Sequence, residues 1–313
     1  MNLYFITFIF VIIVIMCSKY LNNSNSITNN NNSKTVSRKL KWVVMGDIGM
    51  YNREFYQLLQ NRKYDNNDFG IILGDNFYPF GIDEKTLYQW QYIRNLNHIL
   101  NKPMYAVLGN HDYHRNPNTQ IEFKNYNWNM PNYYYYKEFS KHNLGIWFID
   151  TQILTLDGPG LNQKVIESKV GRDKYTRHLE WLERTLSQSN KLIKIVCGHY
   201  PMFSNGNYRE NLKLIKILYP LFKKYNVKVY LSGHDHTFQH LIRNYTNHEV
   251  HQFIIGSSSE VRDYNINTKS NYNNDDILIN EMAVLSCELE NMNLKFKAMG
   301  VKNNLLYENI INF

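Results

Sequence analysis

Cysteine is scarce in this sequence, and the few cysteines form no recognisable pattern. The 313 residues include three, Cys17, Cys197 and Cys287. There is no Cys-x-x-Cys metal pair, and three scattered thiols do not make the disulfide framework of a small secreted domain. Cys197 ends an apolar run, where a free thiol behaves as a small hydrophobic side chain. We therefore expect buried thiols, although a Cys197–Cys287 bridge stays open.

The sequence also lacks a cluster of Lys and Arg interleaved with aromatic residues. The formal net charge of +8 is spread along the chain, so we expect no nucleic-acid binding. A positive charge suits anionic ligands, but it informs association and not fold. After the N-terminal segment there is no second apolar run long enough to span a bilayer.

The N terminus differs in composition from the rest. Residues 3–17 form one unbroken apolar run, which is short for a membrane span and suits the core of a signal peptide. We expect residues 1–18 to be a signal peptide or, if uncleaved, a membrane anchor. Residues 19–38 are Asn-rich and predict a low-complexity linker, which leaves 39–313 as the folded domain. This predicts a secretory-pathway protein, secreted or in a vacuolar or lysosome-like compartment. Candidate glycosylation sequons begin at Asn22, Asn31 and Asn244.

Helical and strand patterns alternate along the folded part. Apolar stripes at helical spacing predict helices over Arg53–Arg62, Asp83–Leu100, Lys174–Gln188 and Asn211–Tyr225. Each helix leads into a short apolar run, which predicts βαβ units and an α/β fold. Alternation after Val250 predicts antiparallel strands that complete a second sheet. Tyr133–Tyr136 is expected to lead from a loop into a strand, and Asp157–Asp173 to be a long flexible loop.

Five apolar runs share one ending, a glycine followed by a residue that can bind metal. They are Trp42–Met45 before Gly46-Asp47, Phe69–Leu73 before Gly74-Asp75 with Tyr78, Met104–Leu108 before Gly109-Asn110, Leu192–Cys197 before Gly198-His199, and Val227–Leu231 before Gly233-His234 with His236. Ligands of an open α/β sheet collect at the carboxyl ends of its strands. The pattern therefore predicts that these donors meet in one crevice, whereas the His-x-His pair alone would be weak evidence.

In this order, the five motifs resemble those of the metallophosphoesterases. Tyr78, three residues after Asp75, separates them from the protein Ser/Thr phosphatases, whose second motif is Gly-Asp-x-x-Asp-Arg-Gly. With Asn110-His111-Asp112 and His234-Asp235-His236, the set resembles the purple acid phosphatases, most closely the small, single-domain, tartrate-resistant type. The likeness runs from about residue 41 to about residue 307. It implies a four-layer αββα sandwich of two mixed β-sheets.

The resemblance also implies a dinuclear metal centre. Fe(III) would be held by Asp47, Asp75, Tyr78 and His236, and a divalent ion (Fe, Zn or Mn) by Asp75, Asn110, His199 and His234. These assignments make chemical sense, because carboxylate and phenolate suit ferric iron whereas imidazole and amide suit a divalent ion. The implied reaction is hydrolysis of phosphate monoesters by direct attack of a metal-bound hydroxide, by a monomeric enzyme.

Three further residues are candidates for catalysis. The resemblance places His111 against the phosphoryl oxygens or the leaving group, and Asp112 behind a ligand that it orients. Mammalian-type members carry a histidine nine residues after the one matching His199, and here Tyr208 stands there. A tyrosine hydroxyl is a poorer acid near pH 5, so we expect weaker turnover of poor leaving groups. Ser204 and Asn207 are further candidates for the rim, and Asp157–Asp173 corresponds to a loop that covers the site in related enzymes.

Two other functions stay open from the sequence. The same site would also suit a phosphoanhydride hydrolase acting on nucleotides or pyrophosphate. A secretory scaffold protein with a vestigial phosphatase fold is the alternative from another class, and retention of the N-terminal segment as a membrane anchor would favour it.

Overall fold

A computed structural model describes the chain over residues 39–61, 64–156, 161–245, 247–263, 273 and 275–313. The expected signal peptide and linker, residues 1–38, lie outside the described residues, so their assignment stays a prediction. Residues 39–313 form one compact unit. Within the described part of the chain, no helix is long and apolar enough to cross a bilayer.

The first β-sheet, sheet A, has seven strands and is built from both ends of the chain. In spatial order its strands are β14 (Leu305–Asn312), β13 (Asn293–Gly300), β12 (Ala283–Glu290), β1 (Leu40–Met45), β2 (Phe69–Ile72), β3 (Met104–Ala106) and β4 (Trp128–Asn129). Strand β1 pairs parallel with β2 and antiparallel with β12. The sheet is therefore mixed, with β1 at its centre.

The second, sheet B, comes from the middle of the chain and also has seven strands. Its order is β11 (Ile277–Ile279), β9 (Phe238–Tyr245), β10 (His248–Ile255), β8 (Val229–Ser232), β7 (Ile193–Cys197), β6 (Leu144–Phe148) and β5 (Tyr135–Phe139). Strands β6, β7, β8 and β10 run parallel, and antiparallel strands flank them.

Helices cover the outer faces of the two sheets. They are α1 (Arg53–Asn61), α2 (Trp90–Leu100), α3 (Asn118–Glu122), α4 (Thr151–Thr155), α5 (Gln163–Val170), α6 (Lys174–Gln188) and α7 (Leu212–Tyr225). Asn211 caps α7 by accepting from Leu214 N, and Asn226 ends it in the left-handed conformation. One apolar cluster joins α1, α2 and the facing sides of both sheets, and a second joins the outer side of sheet B to α6 and α7. The expected four-layer αββα architecture is confirmed.

The two sheets meet through aromatic side chains. Phe253 of β10 stacks on Phe296 of β13 with ring centroids 4.3 Å apart. Tyr135 of β5 donates a hydrogen bond to the carbonyl of Ala106 at the end of β3. Such contacts fix the position of one sheet against the other. The strand ends that carry the motifs then lie at a common edge of the sandwich.

The expected assignment of the strands to the sheets needs correction. The five motif-bearing strands belong to two sheets rather than one, with β1, β2 and β3 in sheet A and β7 and β8 in sheet B. The C-terminal strands are likewise divided, since β10 joins sheet B whereas β12–β14 complete sheet A. Sequence alternation shows a strand but not its partner, so neither point was accessible.

The segment Asp157–Asp173 is not a continuous loop, because it contains α5, capped by Asn162, which accepts from Val165 N. The helix predicted over Asp83–Leu100 begins later, at Trp90, after a short 3-10 turn over Leu87–Gln89. The other predicted helices agree to within a residue, and Tyr135–Phe139 is a strand as expected. Cys197 and Cys287 are free, buried thiols, which rules out the bridge between them.

Candidate metal centre

All seven predicted metal-binding residues lie at the strand ends of one edge of the sandwich. Sheet A supplies four, which follow β1, β2 and β3, and sheet B supplies three, which follow β7 and β8. Every one of them is buried, a rare state for charged and polar groups without partners: Asp47, Asp75, Tyr78, Asn110, His199, His234 and His236. The donors divide into two groups that share Asp75.

The first group surrounds the hydroxyl of Tyr78. Its oxygen lies 3.0 Å from Asp47 Oδ1 and 3.2 Å from Asp75 Oδ2. It is also 3.0 Å from His236 Nε2, which itself lies 3.3 Å from Asp47 Oδ1. A phenol has one proton and cannot donate to three acceptors at once. Ligand atoms about 2.1 Å from one cation and at right angles are about 3 Å apart, so this spacing suits a shared cation.

The second group centres on His199. Its Nδ1 lies 2.8 Å from the carbonyl oxygen of Leu73, which can only accept, so Nδ1 carries the proton. The other ring nitrogen, Nε2, lies 3.1 Å from Asn110 Oδ1 and 3.4 Å from Asp75 Oδ2. If the ring is neutral, Nε2 carries a lone pair, and this lone pair faces two oxygen atoms that also carry lone pairs. Candidate ligand atoms of Asp75, His199 and His234 all lie within 4.8 Å of one another.

The pKa shifts in this group favour a positive charge beside the Asp75 carboxylate. Burial lowers the pKa of His199, but the neighbouring Asp75 carboxylate outweighs it and raises the pKa to about 9. Burial raises the pKa of Asp75, but His199 outweighs it, and the net pKa falls below its usual range. A proton on His199 satisfies the group in the absence of a metal. Metal binding to histidine displaces such protons, so a cation fits here.

His236 is oriented from behind by a carboxylate. Its Nδ1 lies 3.0 Å from Glu260 Oε2, although the two atoms are not aligned as a hydrogen bond. A carboxylate at this nitrogen favours the proton there and leaves Nε2 free to bind a cation. His199 and His236 therefore present the same nitrogen to the centre.

Glycines at the strand ends leave room for the carboxylates of neighbouring motifs. A Cβ on Gly109 would lie 2.2 Å from Asp75 Oδ1, and one on Gly233 would lie 2.5 Å from Asp47 Oδ2. The glycine of one motif thus makes space for the donor of another. This explains the glycines at these two positions, whereas Gly74 has a φ of 90° that itself favours glycine.

Three of the donors have backbone conformations that L-residues rarely adopt. The φ angles are 57° at Asp47, 51° at Asp75 and 70° at His234. Each costs about 1 kcal/mol. The surrounding hydrogen bonds hold them, including His234 N to Asp47 Oδ2 at 2.8 Å and His111 N to Asp75 Oδ1 at 2.9 Å.

Asp112 holds two donor-bearing loops together rather than orienting a ligand side chain. Its carboxylate accepts from the backbone of Gly109 at 2.8 Å and of Asn76 at 3.1 Å, and from Gln120 Nε2 at 2.8 Å. These contacts join the loop after β3 to the loop after β2. Burial, followed by the charge of Asp75, raises the pKa of Asp112 to about 6.

His111 stands beside the donors and points toward them. Its Nδ1 lies 2.6 Å from the carbonyl oxygen of Pro79, so this nitrogen carries a proton. Its Nε2 lies 3.9 Å from Asp75 Oδ2. The ring is partly exposed, so Nε2 is accessible to a bound molecule.

Tyr208 covers His234 at the mouth of the site. Their rings lie 4.0 Å apart with a tilt of 32°, and Tyr208 is 43% exposed. Beside it is a cavity of about 560 Å³, lined by Thr155, Tyr200, Pro201, Tyr208, Arg209, Glu210, Asn211, Leu212, Lys213 and His234. Of the two rim candidates, Asn207 is exposed, whereas Ser204 is buried and donates to Asp235, so Ser204 is not a rim residue.

Sequence reasoning missed the segment after β10. Ser258 Oγ accepts from Gly46 N at 3.2 Å, and Ser259 Oγ donates to the carbonyl of Asp47. Glu260 reaches His236, and Arg262 reaches the hydroxyl of Tyr208. No glycine-and-donor motif marks this segment. The pairing of β10 beside β8 brings it to the site, and that pairing was not visible in the sequence.

Comparison with known families agrees with this geometry. The calcineurin-like phosphoesterase profile matches residues 40–238, which include every candidate ligand. The chain belongs to the calcineurin-like phosphoesterase family. This makes it a hydrolase of phosphate esters, and the expected membership is confirmed.

Among curated relatives, the chain is similar to tartrate-resistant acid phosphatase type 5 of Homo sapiens, with 32% identity over 224 residues. That alignment covers 64% of this chain and 68% of the human protein. Purple acid phosphatase 7 of Arabidopsis thaliana is 29% identical and is covered to 66%, with 64% of this chain aligned. The rabbit type 5 enzyme (Oryctolagus cuniculus) is 31% identical, with 55% of this chain aligned, and is covered to 56%.

Solved structures show the same fold. GAP50, described as the anchor in the inner membrane complex of Plasmodium, superposes with a TM-score of 0.68 at 23% identity, over 88% of this chain and 89% of that one. Purple acid phosphatase PPD1 from yellow lupin (Lupinus luteus) gives 0.63 at 12% identity, over 88% of this chain and 54% of that one. At these identities the likeness concerns the fold alone.

Proposed function

We propose that the protein is an acid phosphatase that hydrolyses phosphate monoesters at a dinuclear Fe(III)–M(II) centre. The observation that carries this is the convergence of buried acceptors on two positions that share one carboxylate, Asp75. At each position, more oxygen and nitrogen acceptors face one another than there are protons available to form hydrogen bonds between them. Sequence similarity to tartrate-resistant and purple acid phosphatases supports the substrate class.

The chemistry of the donors supports two different metals. Around Tyr78, two carboxylates and a phenol are hard anionic donors that suit Fe(III), together with His236. Around His199, the imidazole of His234 and the amide of Asn110 suit a divalent ion such as Fe, Zn or Mn. When bound, such a pair would activate water and clamp the phosphoryl group for in-line displacement.

The chain's own groups would bind and orient the ester. His111 presents Nε2 toward the centre while the Pro79 carbonyl holds its other nitrogen. With Nδ1 held by that carbonyl, Nε2 is the nitrogen that would contact a phosphoryl oxygen or the leaving oxygen. The cavity beside Tyr208 is the place for the leaving group, and its size suits a small organic ligand.

The direct test is hydrolysis of an aryl phosphate from pH 4 to pH 8 by iron-loaded, full-length protein, with tartrate present. Asp75→Asn is the control, because asparagine tolerates the left-handed backbone and removes the shared charge. We expect an acidic optimum, a visible phenolate-to-iron absorption band, and loss of activity in the control. A protein with the band and no turnover would contradict the proposal.

That outcome would favour the scaffold alternative. The fold likeness to GAP50 is the observation behind it. A vestigial site would be expected to lose donors first, and here every donor position holds a suitable residue.

We also propose that the protein enters the secretory pathway. The apolar segment 3–17 supports this, and the sequon residue Asn244 is exposed at the end of β9. Expression in a glycosylating host, followed by glycosidase digestion, tests it. An unchanged mass and retention in the cytosol would contradict it.

A further inference from the structure

A pair of charged residues at the mouth of the site has no role in the proposal above. Glu260 and Arg262 follow β10, which runs parallel to β8. Their segment therefore leaves the sheet at the same edge as His234 and His236. The backbone N–H of Arg262 donates to the carbonyl of His236 at 3.2 Å, so the residue is fixed to this donor-bearing loop.

The guanidinium of Arg262 is held between Glu260, which lies beside His236, and Tyr208, which lies beside His234. Nη2 donates to Glu260 Oε2 at 3.2 Å, and the same oxygen lies 3.0 Å from His236 Nδ1. On the other side, Nη1 donates to the Tyr208 hydroxyl at 3.4 Å. Tyr208 in turn covers His234. Arg262 thus joins a neighbour of His236, in the first group of donors, to a neighbour of His234, in the second.

The charge of Arg262 is only partly neutralised there. Glu260 is shared with His236, and Tyr208 is neutral. A guanidinium has five N–H donors, and two of them are used by these contacts. Its side chain is 42% exposed, so the remaining donors are accessible. Burial opposes ionisation, but Glu260 raises the pKa of Arg262, which keeps the group charged throughout the working range.

We propose that Arg262 binds the phosphoryl oxygens of the substrate, across the centre from His111. This rests on the proposed phosphatase function and adds to it a second binding residue. A guanidinium offers two parallel N–H donors that match two oxygens of a phosphate, which a lysine cannot reproduce. Glu260 holds the guanidinium in place by accepting a hydrogen bond from Nη2.

A purely structural role makes a different prediction. If Arg262 only anchored Glu260, its loss would disturb His236 and the metal, and phosphate affinity would fall only as metal was lost. The two roles are separated by measuring metal content and phosphate affinity on the same protein.

The test uses full-length, metal-loaded protein with inorganic phosphate as the probe. Isothermal titration calorimetry gives the Kd of phosphate for wild type, Arg262→Gln and Arg262→Lys, and steady-state assays with an aryl phosphate give kcat and KM. Iron content and the visible absorption band report the centre. Arg184→Gln is the matched control, since it removes the same charge from an exposed position near the C-terminal end of α6.

We expect Arg262→Gln to raise the Kd of phosphate and KM by about 10- to 100-fold, the range for a charged hydrogen bond. Iron content and the absorption band should stay at the wild-type level. The Kd of phosphate for Arg262→Lys should lie between the values for wild type and Arg262→Gln, because the lysine ammonium keeps the charge but lacks the two parallel N–H donors of the guanidinium. Arg184→Gln should change the Kd by less than about twofold, as expected for an exposed surface charge outside the site.

The proposal is overturned by an unchanged Kd in iron-replete Arg262→Gln, by an equal effect of Arg184→Gln, or by loss of iron in both Arg262 variants. Failure of the proposed function looks different. In that case the wild type would bind iron and phosphate but hydrolyse no ester. The Kd of phosphate for the Arg262 variants would still show whether Arg262 binds phosphate.

Discussion

At the scale of single residues, the centre depends on the absence of a side chain at two glycines as much as on the donor residues. Gly109 and Gly233 lie against the carboxylates of Asp75 and Asp47, where a methyl group would overlap an oxygen atom. The pattern of glycine and donor is visible in the sequence. Its reason is not, because each glycine serves a donor that is remote along the chain.

Gly109→Ala should therefore destroy the centre. The added Cβ would lie 2.2 Å from Asp75 Oδ1, so the shared carboxylate must move. We expect the iron content to fall, and the aryl-phosphatase kcat/KM to fall by about 100-fold, the loss typical of a misplaced catalytic group. Gly70→Ala in β2 is the matched control, because its nearest neighbour would be at an ordinary 3.5 Å. Equal activity of the two variants would refute this account.

Tyr208 sets a second prediction at this scale. Its ring covers His234, and burial raises the pKa of its hydroxyl, so it is a poor proton donor in acid. Tyr208→His places a better acid beside the leaving-group cavity, and we expect alkyl-phosphate turnover to rise about tenfold or more. Aryl phosphates, which leave easily, should change little. Unchanged turnover of glycerol phosphate in Tyr208→His would show that the tyrosine is not limiting.

At the scale of elements, the sequence predicts strands, helices and their order well, and strand partners poorly. Helix α6 was predicted with both its ends correct, because its apolar stripe is regular. Helix α5 was missed since only Ile166 of its eight residues is fully buried, which leaves a weak pattern. The assignment of β10 and β12 to different sheets needs long-range pairing, and with it the role of Glu260 and Arg262 was missed.

Helix α5 carries the prediction at this scale. Lys169 of α5 donates to the carbonyl of Arg115 at 2.7 Å, which ties the helix to the loop that follows His111. This contact supports the hypothesis that Asp157–Asp173 restricts access to the site. Limited proteolysis within this segment should raise kcat/KM for large substrates by about threefold or more, since cleavage of a covering segment opens the site. A nicked protein with wild-type kinetics would count against this.

At the scale of the whole molecule, one buried histidine makes the stability of the sandwich sensitive to acid. His178 on α6 is fully buried and stacks on Tyr134 with ring centroids 4.1 Å apart. Neither of its ring nitrogens has a hydrogen-bond partner among the described residues. Burial lowers the pKa of His178 to about 3, so acid favours the unfolded chain, in which this histidine is free to take up a proton.

His178→Phe should therefore make the fold less sensitive to acid. The unfolded pKa is about 6.5, so the contribution of His178 falls as the pH drops from about 6.5 toward 3 and costs about 2 kcal/mol at pH 5. Urea unfolding at pH 7 and pH 5 should show a smaller difference for the variant than for wild type. His98→Gln, at an exposed position of α2, is the control. An equal pH dependence in His178→Phe and wild type would contradict the assignment.

The division of the sheets also has a consequence for how the protein is made. Sheet B is contained in one continuous stretch, from β5 to β11, whereas sheet A needs β1–β4 from the start and β12–β14 from the end. During translation, every candidate ligand has been synthesised before β12 appears. Until then one edge of β1 has no neighbour, and open strand edges attract other chains. A nascent chain halted between His236 and Ala283 would carry the complete set of donors and still expose the strand that leads to Asp47.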